Sequence, residues 1–194
     1  MRFQEVSAAA ALALFAAAAW AEPIALRPAD PQPEAGALLP GLSVRYAYPH
    51  SVRSLREARE WLESGSEQGE PLPNLRHRDS MEGDPTLTAK QPMRVAAAIS
   101  GYVRFERPGP QQVEFLSNDG LEVSIGGAVV SKHDGVHPCE TNGVVDVLVP
   151  EPGWYEIELT YFQWKGTSCL LMRWGAEGEK LGWAPDEAFA RRAD

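Results

Sequence analysis

Val113-Glu114-Phe115-Leu116-Ser117-Asn118-Asp119-Gly120-Leu121-Glu122-Val123-Ser124-Ile125 alternates apolar and polar residues, halts at Asn118-Asp119-Gly120, and then alternates again. Side chains of a strand point to opposite faces in turn, so each half reads as a half-buried strand. An Asn-Asp-Gly insert between two such runs predicts a tight turn that carries an amide and a carboxylate.

The same grammar extends on both sides. Upstream, Leu42, Val44, Tyr46 and Tyr48 line one face of a strand that Pro49 ends. Val95, Ala97, Ile99, Gly101, Val103 and Phe105 occupy alternate positions of another strand, opposite Arg94, Ser100, Arg104 and Glu106. Downstream, Gly126-Gly127 marks a hairpin between Leu121–Ile125 and Ala128–Val130. Strands follow over Val144–Val149, over Tyr155–Tyr161 and over Cys169–Trp174, separated by Pro150-Glu151-Pro152-Gly153 and Trp164-Lys165-Gly166. Short strands with regular turn signals predict an all-β domain, an antiparallel β-sandwich or barrel. One helix interrupts it: Ser54-Leu55-Arg56-Glu57 has the form of a capping box, and Leu55, Ala58 and Leu62 follow at helical spacing over 54–63. Residues 64–92, rich in Gly, Pro, Asp and Glu, read as a long loop.

The ends read differently. Arg2 precedes an apolar run from Val6 to Ala19, and Ala19-Trp20-Ala21 is a small-x-small cleavage site. Residues 1–21 are therefore expected to be a signal peptide cleaved near Ala21, too short and Ala-rich for a good membrane anchor. Export to the periplasm or the extracellular space follows from that reading. Residues 22–40 hold Pro23, Pro28, Pro31, Pro33 and Pro40 and read as an extended Pro-rich tether. The folded domain is placed at 41–185, with a polar C-terminal tail at 186–194 and no transmembrane segment in the mature chain. The formal net charge of −9 disfavours nucleic acid as a partner. Cys139 and Cys169 are the two cysteines; in an oxidising compartment they read as one disulfide, with a pair of free thiols as the alternative.

In this order and spacing the residues resemble the PA-fourteen domain family, named after anthrax protective antigen and shared with yeast flocculins. The resemblance is carried by Gly41-Leu42, by Ser100-Gly101-Tyr102-Val103 and Pro108-Gly109, and by Phe115 to Gly127 as a signature hairpin. It continues through Pro152 to Phe162 and ends at Leu170-Leu171-Met172-Arg173-Trp174. It implies a β-sandwich of the protective-antigen and flocculin type. It also implies one of two non-catalytic roles, a carbohydrate-binding module or an interaction domain that docks on an envelope protein.

The family's calcium-dependent sugar binders place consecutive aspartates at the signature turn. Here the pair is Asn118-Asp119, with Gln163 as a late amide ligand, so the implied Ca2+ site has lost one formal charge. Read without the family, Asn118 and Asp119 are ordinary turn formers. In the polar segment 131–143, His133 and His137 are candidates for a metal or for proton transfer, and Asp134 and Glu140 could supply carboxylates. A solvated loop pinned by Cys139 is the plainer account; as a glycan-binding rim the loop would present His133, Asp134 and His137 to a ligand together with Asn118, Asp119, Trp164 and Lys165. Trp164, beside Lys165, is the aromatic placed to stack on a sugar ring. Trp154 and Trp174 fall within strands and read as core, and Trp61 as helix packing. No nucleophile elbow, His-Glu-x-x-His or phosphate-cradling loop is present, so the chain reads as a binding module rather than an enzyme.

Overall fold

In the computed structural model, which describes residues 22–193, the two halves of the deciding stretch lie in different sheets. The proposed signal peptide falls outside the described residues. In chain order the strands are β1 (Ile24–Ala25), β2 (Leu38–Pro40), β3 (Ser43–Ala47), β4 (Glu67–Gln68) and β5 (Arg76–His77). There follow β6 (Val95–Phe105), β7 (Gly109–Ser117), β8 (Leu121–Ile125), β9 (Ala128–His133) and β10 (Glu140–Val149). The last are β11 (Gly153–Gln163), β12 (Leu170–Ala176), β13 (Gly182–Trp183) and β14 (Phe189–Arg192); helix α1 (Leu55–Ser64) sits between β3 and β4.

One sheet runs β1-β10-β7-β12-β13, with β5 beside β12, and the other runs β2-β14-β6-β11-β8-β9, with β3 on β6 and β4 on β3. The two form a sandwich and do not close into a barrel. Val113, Phe115, Leu170 and Met172 of the first sheet face Ile99, Val123, Ile157 and Tyr161 of the second, all buried. Each large side chain removed from water in this way contributes about 1.5–3 kcal/mol.

The expected tight hairpin at Asn118-Asp119-Gly120 is therefore a crossover. β7 pairs with β10 and β12, whereas β8 pairs with β9 and β11. Alternation along a strand fixes which residues face inward but not which partner the strand takes, so both halves were legible and their pairing was not. The corner is tight for a steric reason. Phe162 N donates to Gly120 O at 3.0 Å, and a Cβ on Gly120 would lie 2.0 Å from Cε1 of the Phe162 ring.

Helix α1 starts as expected at Ser54, whose Oγ accepts the Glu57 amide at 3.2 Å. The reciprocal half of the capping box is displaced by one residue, because the Glu57 carboxylate takes the Arg53 amide at 2.8 Å. Leu55, Ala58 and Leu62 pack on Ala47, Ala96 and Phe162, on the outer face of the second sheet. Small side chains on β3 and β6 let the helix approach.

Both expected tails are folded. β1 adds in parallel to β10, and Leu26 N donates to Leu148 O at 3.0 Å while Leu26 itself is buried. Gln32 brackets Trp154 of β11, its Nε2 donating to the carbonyl and its Oε1 accepting the amide, both at 2.9 Å. Residues 24–32 thus lace the two sheets together. Prolines tolerate this because an edge segment needs only one side of its ladder. At the other end β14 pairs with β2 and β6, and Phe189 enters the core. A Cβ on Gly101 would meet the Ala190 carbonyl oxygen at 2.4 Å, so glycine admits β14 to that edge. The long loop over 64–92 is pinned by Leu72 and Leu75, both fully buried, and by the Tyr46 hydroxyl against Thr88 Oγ1 at 2.8 Å.

Candidate functional site

Asp119 sits at the crossover with its backbone in the left-handed region (φ 57°) and 1 % exposed. It holds two segments remote in sequence. Its Oδ2 accepts the Trp164 amide at 2.6 Å and its Oδ1 accepts the His137 amide at 3.3 Å. Its own N–H donates to the His137 carbonyl at 3.0 Å. Burial pushes its carboxyl above the ordinary aspartate value, opposed by the N–H donors from Trp164 and His137. The predicted turn carboxylate is thus a clamp.

The clamped segments form one rim. Trp164 is half-buried, Lys165 is exposed, and the Arg53 guanidinium lies over the Trp164 ring, 4.7 Å from its centroid. Cation–π contact of this kind both orients the ring and leaves a donor beside it. Arg53 was missed by sequence reasoning, because a lone arginine before a helix carries no periodic signal. Asp134 reaches the helix, its Oδ1 accepting the Leu55 amide at 2.7 Å, and so caps the start of α1 rather than facing a ligand. Cys139 and Cys169 form a disulfide with Cα atoms 5.9 Å apart, which ties the loop to β12. Strand β10 begins at Glu140, so the predicted loop shrinks to 134–139.

His133 and His137 come together, ring centroids 3.8 Å apart and tilted by 55°. Two imidazoles bound to one tetrahedral zinc at Zn–N distances of 2.0–2.1 Å hold their centroids about 5 Å apart. The pair is too close for shared coordination, and among the described residues no group of three His, Cys, Asp or Glu is arranged to hold a metal. The His137 side chain is 7 % exposed, and its Nδ1 lies 3.4 Å from Glu140 Oε1 in poor alignment, so neither ring nitrogen has a hydrogen-bond partner among the described residues. Burial, then the neighbouring His137, lowers the affinity of His133 for a proton.

The calcium donor set does not fit as arranged. Asn118 Oδ1 is buried without a partner, as an unclaimed ligand atom would be. Gln163, however, is fully buried, its Oε1 accepting the Tyr161 hydroxyl at 2.9 Å and its Nε2 donating to the carbonyls of Thr167 at 2.7 Å and Lys165 at 2.9 Å. Both Asp119 oxygens already hold backbone N–H groups, and Asp119 is the one formal charge in the set. Gln163 instead shapes the Trp164 turn from below.

The remaining tryptophans divide. Trp174 packs partly buried on the core, as expected, and Trp61 meets His50 edge-on at 5.3 Å. Trp154 is not core: it shares the outer face of β11 with Glu156 and Glu158, with Arg104 5.7 Å from its ring centroid.

No protein-family model matches the sequence, and no curated protein does. Solved structures do. The PA14 domain of the MpAFP antifreeze protein superposes with a TM-score of 0.67 at 16 % identity, over 84 % of this chain and 95 % of that one. The Epithelial Adhesin 9 A domain from Candida glabrata, crystallised with Galb1-3GlcNAc, gives 0.66 at 15 % identity over 87 % and 97 %. The PA14 sugar-binding domain from an RTX adhesin gives 0.61 at 14 % identity over 80 % and 99 %. With its two sheets and the crossover at Asp119, the chain has a PA14-like β-sandwich fold.

Proposed function

We propose that this chain is an exported, non-catalytic glycan-binding module whose site is the rim of Arg53, Trp164, Lys165 and the 134–139 loop, acting without calcium. The observation that carries this reading is the Asp119 clamp, which fixes the Trp164 backbone at 2.6 Å and joins it to the disulfide-tied loop. An aromatic ring held beside guanidinium and ammonium donors offers a sugar an apolar face to stack on and polar groups to orient its hydroxyls. Similarity to sugar-binding adhesin domains supports the ligand class, and the disulfide supports export.

A glycan array on the chain starting at residue 22, followed by calorimetry with and without chelator, tests the proposal. Binding that survives chelator and is lost in Trp164→Ala agrees with it. Absence of any glycan hit overturns it. A stoichiometric envelope protein captured regardless of glycans would then favour the interaction-domain reading.

A further inference from the structure

On the outer face of the first sheet one row of side chains crosses four strands. Val144 of β10, Glu114 of β7, Arg173 of β12 and Trp183 of β13 stand opposite one another in turn. Alternation with the inward Val113 and Phe115 points Glu114 out of the sandwich, yet its side chain is only 5 % exposed. Its Oε2 accepts Arg173 Nε at 2.7 Å, with Nη2 2.5 Å away, and its Oε1 accepts the Thr141 hydroxyl at 2.7 Å. Taking a carboxylate out of water is unfavourable unless it is paired and hydrogen-bonded. Here the pairing fixes a guanidinium in place on an open sheet face.

That guanidinium in turn flanks Trp183, 5.7 Å from the centre of the indole. A second one, from Arg78, lies 5.8 Å from the same ring. Both distances fall within the reach of a cation–π contact. Trp183 is 38 % exposed and is the one aromatic among the exposed large apolar side chains of the described residues. It is an aromatic platform whose orientation is set by a neighbour that is itself locked.

Around the ring, donors are left over and acceptors are not. Glu114 neutralises Arg173, and both of its oxygens are engaged. Asp186 neutralises Arg76 at 3.1 Å, and the same oxygen takes the Asn74 amide. Asp79, next to Arg78 in the chain, lies where its charge is felt by the buried Tyr161. Arg78 is exposed and forms no hydrogen bond or ion pair among the described residues. Nη1 of Arg173 and the indole N–H of Trp183 are equally unengaged there. Guanidinium and indole nitrogens donate and never accept, so the platform suits a ligand rich in acceptors.

We propose that this row is a second carbohydrate site, for acidic saccharides of the uronic acid type. The C–H face of one ring stacks on Trp183, and its carboxylate is received by Arg78, with Arg173 Nη1 and the indole N–H as further donors. From β13 to β10 the row spans three strand spacings, about 14 Å, so an oligomer can lie along it. A neutral sugar would leave Arg78 idle, and an acidic peptide would leave the indole face idle, which is why the acidic saccharide is favoured. The row and the rim share no residue, so this site stands whether or not the rim binds glycan.

The test is calorimetry at neutral pH and low salt with an α-1,4-linked galacturonic acid trimer. Its methyl-esterified form keeps the rings without the charges, and a short polyglutamate keeps the charges without the rings. The proteins are the unaltered chain, R78Q, W183A and W164A, each checked for an unchanged thermal midpoint; Arg78 and Trp183 are exposed, so their loss spares the core. The acidic trimer is expected to bind, with Kd larger by about tenfold or more in R78Q and in W183A, the loss expected for a charge-assisted contact, and unchanged in W164A. The esterified trimer and polyglutamate are each expected to bind more weakly by a similar factor. No binding, equal binding of the two trimers, polyglutamate as tight as the trimer, or an effect confined to W164A would each overturn the assignment.

Discussion

Trp164 receives its backbone position from Asp119, 45 residues earlier in the chain, through an N–H to Oδ2 bond of 2.6 Å. The pairing makes one buried carboxylate responsible for the shape of the rim.

Asp119→Ala should therefore leave the Trp164 and His137 amides without acceptors. Buried donors stripped of a partner cost about 1–3 kcal/mol each. Urea denaturation is expected to show a loss of at least that size, and any rim ligand should weaken with it. A loss below about 0.5 kcal/mol would contradict the clamp.

The same carboxylate has an unusual pH signature. Burial raises its folded-state pKa above the ordinary value. Its favourable contribution is fully present below the unfolded pKa and is lost as pH rises through the raised folded one. Stability of the unaltered chain minus that of Asp119→Asn should thus fall with rising pH over that window and level off above it. Denaturation midpoints at closely spaced pH values would show a rise instead if Asp119 behaved as an ordinary ion-paired carboxylate.

His133 slopes the other way. Burial and His137 depress its pKa below 6.5. The stability it contributes is present above its unfolded pKa and disappears as pH falls through the depressed folded value. His133→Gln should flatten the acid side of the stability curve, below the ordinary histidine pKa; an unchanged curve would place the pair outside the loop's energetics.

Cys139 and Cys169 are 30 residues apart, and in the chain-entropy model the closed loop contributes roughly 3–4 kcal/mol. Reduction, or replacement of both by serine, should lower the thermal midpoint and loosen the 134–139 loop, seen as faster amide exchange at His137. Unaltered exchange there would mean that Asp119 alone fixes the loop.

Gly120→Ala places a methyl group 2.0 Å from a Phe162 ring atom. Overpacking of this kind costs about 1–3 kcal/mol, whereas Gly182→Ala, with nothing within 4 Å of the added carbon, should be neutral. Equal midpoints for both variants would show that the corner relaxes freely.

Most strands and the helix could be read from the sequence, because alternation at Val95–Phe105 and capping at Ser54 are local signals. Residues 24–32 and 189–192 could not. Their apolar runs, Ile24 to Leu26 and Ala188 to Ala190, are only three residues long between prolines and charges, and their stability comes from ladders with distant strands. The site was half legible. Asp119, Trp164 and the two histidines were singled out by type, but Asp134 and Gln163 proved to be spent on helix capping and turn support, which depends on contacts no spacing encodes. Arg53 became visible only through its ring contact with Trp164.

The ladder between β2 and β14 has its open end at Arg192–Leu38, next to the Ala193 to Ala37 bond. Tension drawn out through residue 193 would load its rungs singly, in the order Arg192, Arg191, Ala190, as a zipper parts. The rim carries the same tension throughout, but its disulfide is covalent whereas the zipper is held by single hydrogen bonds and parts first. Single-molecule pulling between residue 193 and a rim-bound handle should register a low-force extension before the sandwich opens. A module built this way lengthens under strain before it lets go of what it holds.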